Sequence, residues 1–204
     1  MNLVERVKNI LITPKTEWDV INGETETPIS LLPKYVIIMA LIPAIAAFIG
    51  YGLIGVSYFG IKVSGMNWGL SMAIQMFVQS ILSYFICTYV IDALAPTFKS
   101  EKNLGKSAQL VAYATTASAV AGIFYILPAL SFLLILGLYG IYLFYIGLPK
   151  LKKTPQDQVV VYMIVSALVI IVVGIVLGII LQKIMWAIFG NPYPLGGGLD
   201  NLFK

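Results

Sequence analysis

No histidine occurs anywhere in the 204 residues, and Cys87 is the only cysteine. The first absence removes histidine-based acid–base chemistry and every catalytic triad built on it. The second removes intramolecular disulfides, and together they exclude Cys/His zinc sites. Charge is scarce too, at 11% of residues, where soluble domains run near 25%. Cys87 lies in the apolar run YFICTYV and is expected to be a small buried hydrophobe. No cofactor and no metal is expected from such an inventory.

What is present is apolar. Hydrophobic residues make up 59% of the chain, and the mean hydropathy is +0.92. This composition predicts an integral membrane protein, all-α, with a single helical bundle. The net charge of +4 does not point to nucleic acid, because the lysines fall in short loops between apolar runs.

Charges mark the limits of the spans. Lys34 and Lys62 bound one uncharged stretch, Lys62 and Asp92 a second, and Asp157 and Lys183 another. Each holds one transmembrane helix of about 20 residues. The stretch from Lys106 to Lys150 is about twice that requirement, and Pro128 stands near its middle in YILPAL, so two helices joined by a tight turn fit it. Five spans follow, near 35–59, 68–92, 108–127, 129–148 and 159–185. Residues 1–33 are then interfacial, 34–186 form the membrane domain, and 187–204 form a flexible outer-face tail.

Lysine and arginine set the orientation. Arg6, Lys8, Lys15, Lys34, Lys99, Lys102, Lys106, Lys150, Lys152 and Lys153 all fall on one side, against Lys62, Lys183 and Lys204 on the other. That asymmetry predicts a cytoplasmic N-terminus and an outer C-terminus. Lys183 is expected to snorkel outward beside Trp186, Phe189 and Tyr193. The first residues mix acid and base without a leading apolar core, so no secretory signal peptide is expected there.

Within NLVERVKNIL, Leu3, Val7, Ile10 and Leu11 share a helical face, with Glu5, Arg6, Lys8 and Asn9 on the others. TPKTEWDVING reads as a second short helix with Thr13 as N-cap, Pro14 in its first turn, Gly23 at its end and Trp18 as its anchor. These helices are either a collar that fixes the first span or a docking surface for a cytoplasmic partner. The acids Glu17, Asp19, Glu24 and Glu26 can pair with loop lysines.

In the bundle, the Ala-, Ser- and Thr-rich third span reads as the central helix, since small residues let backbones approach where water gives no driving force. Gly174 and Gly178 form a small-xxx-small face for packing. Pro43 is expected to kink the first span. Gln75 and Gln79, four apart, share one face of the second span and suit an interhelical hydrogen-bond seam, with Tyr113 and Tyr139 donating into the same interior. Asp92 sits at the inner end of the second span with Lys99 or Lys106 as expected partner. Gly147 and Pro149 are expected to end the fourth helix.

Three passages are similar to the Yip1-domain family of membrane proteins, particularly its small bacterial members. They are ITPKTEWDVI, LGKSAQLVAYATTASAVAGIFYILP and LYGIYLFYIGLPKLKKTPQDQ, and the likeness covers most of residues 1–185. The resemblance implies five helices, a cytosolic N-terminus and a bacterial inner-membrane location. Eukaryotic relatives act in vesicle trafficking and membrane shaping with prenylated Rab-type GTPases, and carry an Asp-Leu-Tyr-Gly-Pro signature. Here Leu138-Tyr139-Gly140 lies inside a span and precedes Ile141, so a GTPase partner is not carried over.

The functional expectation is a non-enzymatic adaptor or organiser with membrane lipids, and a membrane-protein partner or a second copy of the chain, as its partners. The alternative is a small transporter, channel or lipid-moving protein working as an oligomer. A membrane enzyme is not expected, because Ser64, Asp92 and Glu101 do not converge by any spacing.

Overall fold

The computed structural model describes residues 2–58 and 61–190. The expectations for Tyr193 and most of the tail therefore fall outside the described residues. Five helices are long and apolar enough to cross a membrane: Pro28–Ile54, Met66–Phe98, Leu104–Ile126, Pro128–Lys152 and Gln156–Phe189. They run alternately up and down and make an all-α bundle, preceded by two short helices, α1 (Leu3–Ile12) and α2 (Pro14–Gly23). Between the first and second spans lies a feature absent from the sequence reading, an antiparallel hairpin of Val56–Tyr58 with Ile61–Val63. It marks the face of the bundle opposite the collar formed by α1 and α2.

Local signals explain most of the helix ends. Asn2 caps α1 by accepting from the Val4 N–H at 3.0 Å, and Thr27 and Ser30 form a reciprocal capping box where the first span begins. Thr13 stands at the N-cap of α2 as expected, its carbonyl accepting from the Glu17 N–H at 3.1 Å, but its side chain makes no capping bond. Thr13 precedes Pro14, and its hydroxyl turns back to donate to the Asn9 carbonyl at 3.2 Å, closing α1 instead. The fourth helix also differs from expectation. Gly147 and Pro149 lie inside it, and it runs on to Lys152, ending where Lys153 turns left-handed at φ 49°. The last turn persists because Lys152 is held by buried partners described below.

The first span carries Pro43 inside its α-helical part, Ile37–Ala47. Its backbone winds in π fashion at Leu32–Val36 and again at Phe48–Ile54, a local widening that commonly re-aims side chains. The third span is the interior one: 56% of its apolar window is buried, against 33% or less in each of the others. Leu127, extended at φ −115°, and Pro128 make the turn into the fourth span.

Glycines bring backbones together on the hairpin side. A β-carbon on Gly50 would stand 1.9 Å from the Tyr125 carbonyl oxygen, and one on Gly69 would stand 2.5 Å from the Gly52 α-carbon. In both cases the obstacle is backbone, which cannot rotate away. Gly50→Ala is therefore expected to force the first and third spans apart, at about 3 kcal/mol, the upper end for overpacking. Equilibrium unfolding in mixed micelles measures it, and a loss below about 1 kcal/mol would contradict this close approach.

Candidate functional site

Two polar assemblies and one cavity stand out in an otherwise apolar molecule. The first sits at the collar-side ends of four spans. Asp92 Oδ1 accepts from the Lys152 ammonium at 2.8 Å, the Asn103 N–H at 2.8 Å and the Ser107 hydroxyl at 3.0 Å. Lys152 spends its other two protons on the Ser107 hydroxyl at 2.6 Å and the Asn103 carbonyl at 3.2 Å. The Lys152 side chain is fully buried and that of Asp92 is 8% exposed.

Sequence places these groups by ordinary means. The second span ends in a 3-10 turn at Ala95–Phe98, Lys99 reverses the chain in the left-handed region, and Asn103 caps the third span through the Lys106 N–H. That returns Ser107 to Asp92 within one turn. The fifth span is tied in as well: Tyr162 donates to the Ile91 carbonyl at 2.5 Å and stacks on Phe98, and the hydroxyls of Ser100 and Thr154 share a bond of 2.9 Å.

The partner of Asp92 is thus Lys152, not Lys99 or Lys106. Lysine spacing alone misses this, since Lys152 is the middle of three basic residues and looks as solvated as its neighbours. The Lys152 ammonium has committed all three of its protons to Asp92, Ser107 and the Asn103 carbonyl and has none to lend a substrate, while Asp92 takes all three of its donors on Oδ1. The assembly is a clasp.

The second assembly builds the collar into the bundle. Arg6, expected on the polar face of α1, is buried; its guanidinium donates to Glu17 at 2.6 Å, to Glu24, and lies 5.3 Å from the Tyr113 ring centre. The buried stripe of α1 is Arg6 with Ile10, four residues on. Trp18 is wholly buried, edge-on to Tyr113 at 6.3 Å, with Gly147 leaving it room. Lys106 donates to the carbonyls of Asn22 at 2.7 Å and Glu24 at 2.8 Å, closing the negative end of α2. Gln109 donates to the Glu24 carbonyl at 3.2 Å.

The acids divide among several partners: Glu17 and Glu24 take Arg6, Asp19 takes Lys150, and Glu26 takes Lys34 at 3.0 Å. Burial pushes the Glu26 carboxyl up, but hydrogen bonds from Ser30 and Lys34 outweigh it, so its pKa lies below the ordinary value. Tyr139 joins the collar rather than the interior, donating to the Leu11 carbonyl at 3.1 Å. Tyr113 likewise lies at the collar side, edge-on to Tyr35 at 4.7 Å.

Gln79 and Gln75 cross from the second span to the fifth, donating to the carbonyls of Gly174 at 3.1 Å and Gly178 at 3.4 Å. No atom lies within 4 Å of a β-carbon built on Gly174, and the group facing Gly178 is the Gln79 amide. On these same two spans, more than two turns nearer the collar, the hydroxyls of Thr88 and Ser166 are buried without a partner. Pro43 packs on Gly122 and lines a cavity of about 450 Å³ among the first, second, third and fifth spans. Among the described residues no three acidic or cysteine side chains gather as metal ligands would.

Comparison with known proteins fits this architecture. The family description Yip1 domain matches residues 8–178. The chain is 26% identical over 151 residues to the inner membrane protein YohC of Escherichia coli K12, covering 71% of this chain and 77% of that protein. The YohC protein of an Escherichia coli O6:H1 strain matches with the same identity and coverage. No solved structure matches.

Proposed function

This chain belongs to the Yip1 domain family, and from that premise we propose that it serves a bacterial inner membrane as a non-enzymatic adaptor or organiser. One observation carries the reading. The collar is not a mobile appendage: Arg6, Glu17, Trp18 and Ile21 are all buried against the bundle. Its outer surface is therefore held at a fixed height and angle to the membrane, which suits presentation to a partner. The inner clasp, in which all three Lys152 protons are engaged by protein groups, supports a structural rather than a chemical use of that lysine.

The collar face is the cytoplasmic one in this reading. Arg6, Lys8, Lys15 and Lys34, with the six lysines Lys99, Lys102, Lys106, Lys150, Lys152 and Lys153 at the connections between spans two and three and spans four and five, supply its positive charge. On α1, Val4 and Ile12 are each 68% exposed while Arg6 and Ile10 are buried. The helix thus meets the bundle with one stripe and the headgroup layer or a partner with another.

Removing residues 1–23 would strip buried Arg6 and Trp18 from the bundle, so it confounds folding with partner binding. Reversing charge at exposed Lys8 and Lys15 avoids this. Crosslinking and affinity purification from native membranes should recover a stoichiometric protein with the wild type and lose it with Lys8→Glu/Lys15→Glu. Equal recovery with both, or a chain recovered alone, would sink the adaptor reading.

The cavity beside Pro43 favours a second reading, a small transporter, channel or lipid-moving protein acting as an oligomer. Flux of ions and of labelled lipid in proteoliposomes decides it; flux no greater than in empty vesicles removes it.

A further inference from the structure

We propose that one water molecule is bound inside the bundle, bridging the second span to the fifth between the hydroxyls of Thr88 and Ser166. Both residues are wholly buried, and both hydroxyl oxygens are shut off from solvent without a hydrogen-bond partner. Groups of this kind are rare in folded proteins and costly where they occur.

The packing of the two spans brings these hydroxyls to the same level. The spans run antiparallel, and three bonds fix their register: Gln75 donates to the Gly178 carbonyl, Gln79 to the Gly174 carbonyl, and Tyr162 to the Ile91 carbonyl. Each step along one span is matched by an equal step back along the other, which sets Thr88 level with Val165 and Ser166. Their facing follows from the helical repeat, because residues three or four apart share a face. Thr88 lies one turn from Tyr84 on one side and from Ile91 on the other. Ser166 lies one turn from Ile170 and from Tyr162. Tyr84 and Ile170 line one cavity together, and Ile91 and Tyr162 are joined by a hydrogen bond. Thr88 and Ser166 are thus bracketed, above and below, by contacts between their own two stripes.

Room for a water comes from side-chain size. The bracketing residues are tyrosines and isoleucines, and a threonine opposite a serine is smaller than either pair that props the spans apart. The two oxygens do not bond each other, since each is without a partner. Nor do they turn back onto their own helices, as Ser80 does by donating to the Met76 carbonyl at 2.8 Å. A water answers both. Each hydroxyl can donate and accept, and the Tyr84 and Tyr162 carbonyls, one helical turn before them, each carry a second lone pair. These groups supply the polar neighbours, about two to four, that a buried water needs. An ion does not suit the place. The charges of Asp92 and Lys152 are spent on each other at 2.8 Å, and an unneutralised charge beside two hydroxyls is far costlier to bury than a water.

The test is solid-state NMR of the full-length chain, with isotopically labelled threonine and serine, in vesicles of phosphatidylethanolamine and phosphatidylglycerol. Magnetisation that starts on water protons should reach the Thr88 and Ser166 side chains at short mixing times and should not reach Thr116. Thr116 is equally buried, but its hydroxyl donates to the Tyr113 carbonyl at 2.7 Å and is bonded to Tyr35, so it reports burial alone. Ser166→Ala should abolish the transfer to Thr88 while leaving the Thr88 resonance in place, and Thr88→Val should abolish the transfer to Ser166. A Thr88 signal as dry as that of Thr116 in the wild type overturns the proposal without any variant. Transfer to Thr88 that persists undiminished in Ser166→Ala overturns it too, because the two hydroxyls would then share no water. Neither outcome depends on what the collar binds.

Discussion

Asp92→Leu is expected to destabilise the bundle by about 3–5 kcal/mol, the range for breaking a buried ion pair from one side. Lys152 would then keep only the neutral Asn103 carbonyl and Ser107 hydroxyl, with its side chain fully buried. Lys152→Met should cost less. The Asp92 carboxylate retains donors from Asn103 and Ser107 and has slight access to water. The double variant Asp92→Leu/Lys152→Met should recover most of the loss, because no charge is left stranded and two apolar chains of similar length replace the pair. Unfolding of all three in mixed micelles forms the cycle. If the double variant is no more stable than Asp92→Leu alone, the two groups are not coupled and the clasp does not hold the spans.

Trp18→Ala should be nearly as damaging, at about 3–5 kcal/mol, since it empties the contact between α2, Tyr113 and Gly147. The loss should be local as well as global. With α2 loosened, Arg6 leaves its carboxylates and becomes open to trypsin, so limited proteolysis should release the collar from the variant and not from the wild type. Trp18→Phe should be mild. The indole N–H is buried without a partner, and removing an unsatisfied donor offsets part of the lost packing. Equal resistance of the alanine variant and the wild type to trypsin would show that the collar does not depend on this side chain.

The two results probe groups of different legibility. Trp18 could be singled out from TPKTEWDVING because a lone tryptophan on a short polar helix has few other uses than anchoring. Asp92 was conspicuous as the acid at the end of a span, but its partner was not. Lys152 lies 60 residues away, and only the packing of the fourth span's last turn brings it inside. Arg6 was harder still: by pattern it belongs with Glu5 and Lys8 on a wet face, and it is buried because Glu17 and Glu24 come round on α2 to meet it.

Hydrophobic run length and the scarcity of charge determined the number of spans and the all-α class, because a bilayer requires every backbone polar group to be satisfied within a helix. The one-sided distribution of lysine and arginine set an expected orientation for the same reason of solvation. Those are properties of single segments against their solvent, and a sequence displays them directly. The clasp, the collar's burial, the hairpin and the cavity beside Pro43 were decided only by tertiary structure. They depend on which helix faces meet and at what height, and inside a membrane all the apolar faces look alike until small residues and a few polar groups choose among them.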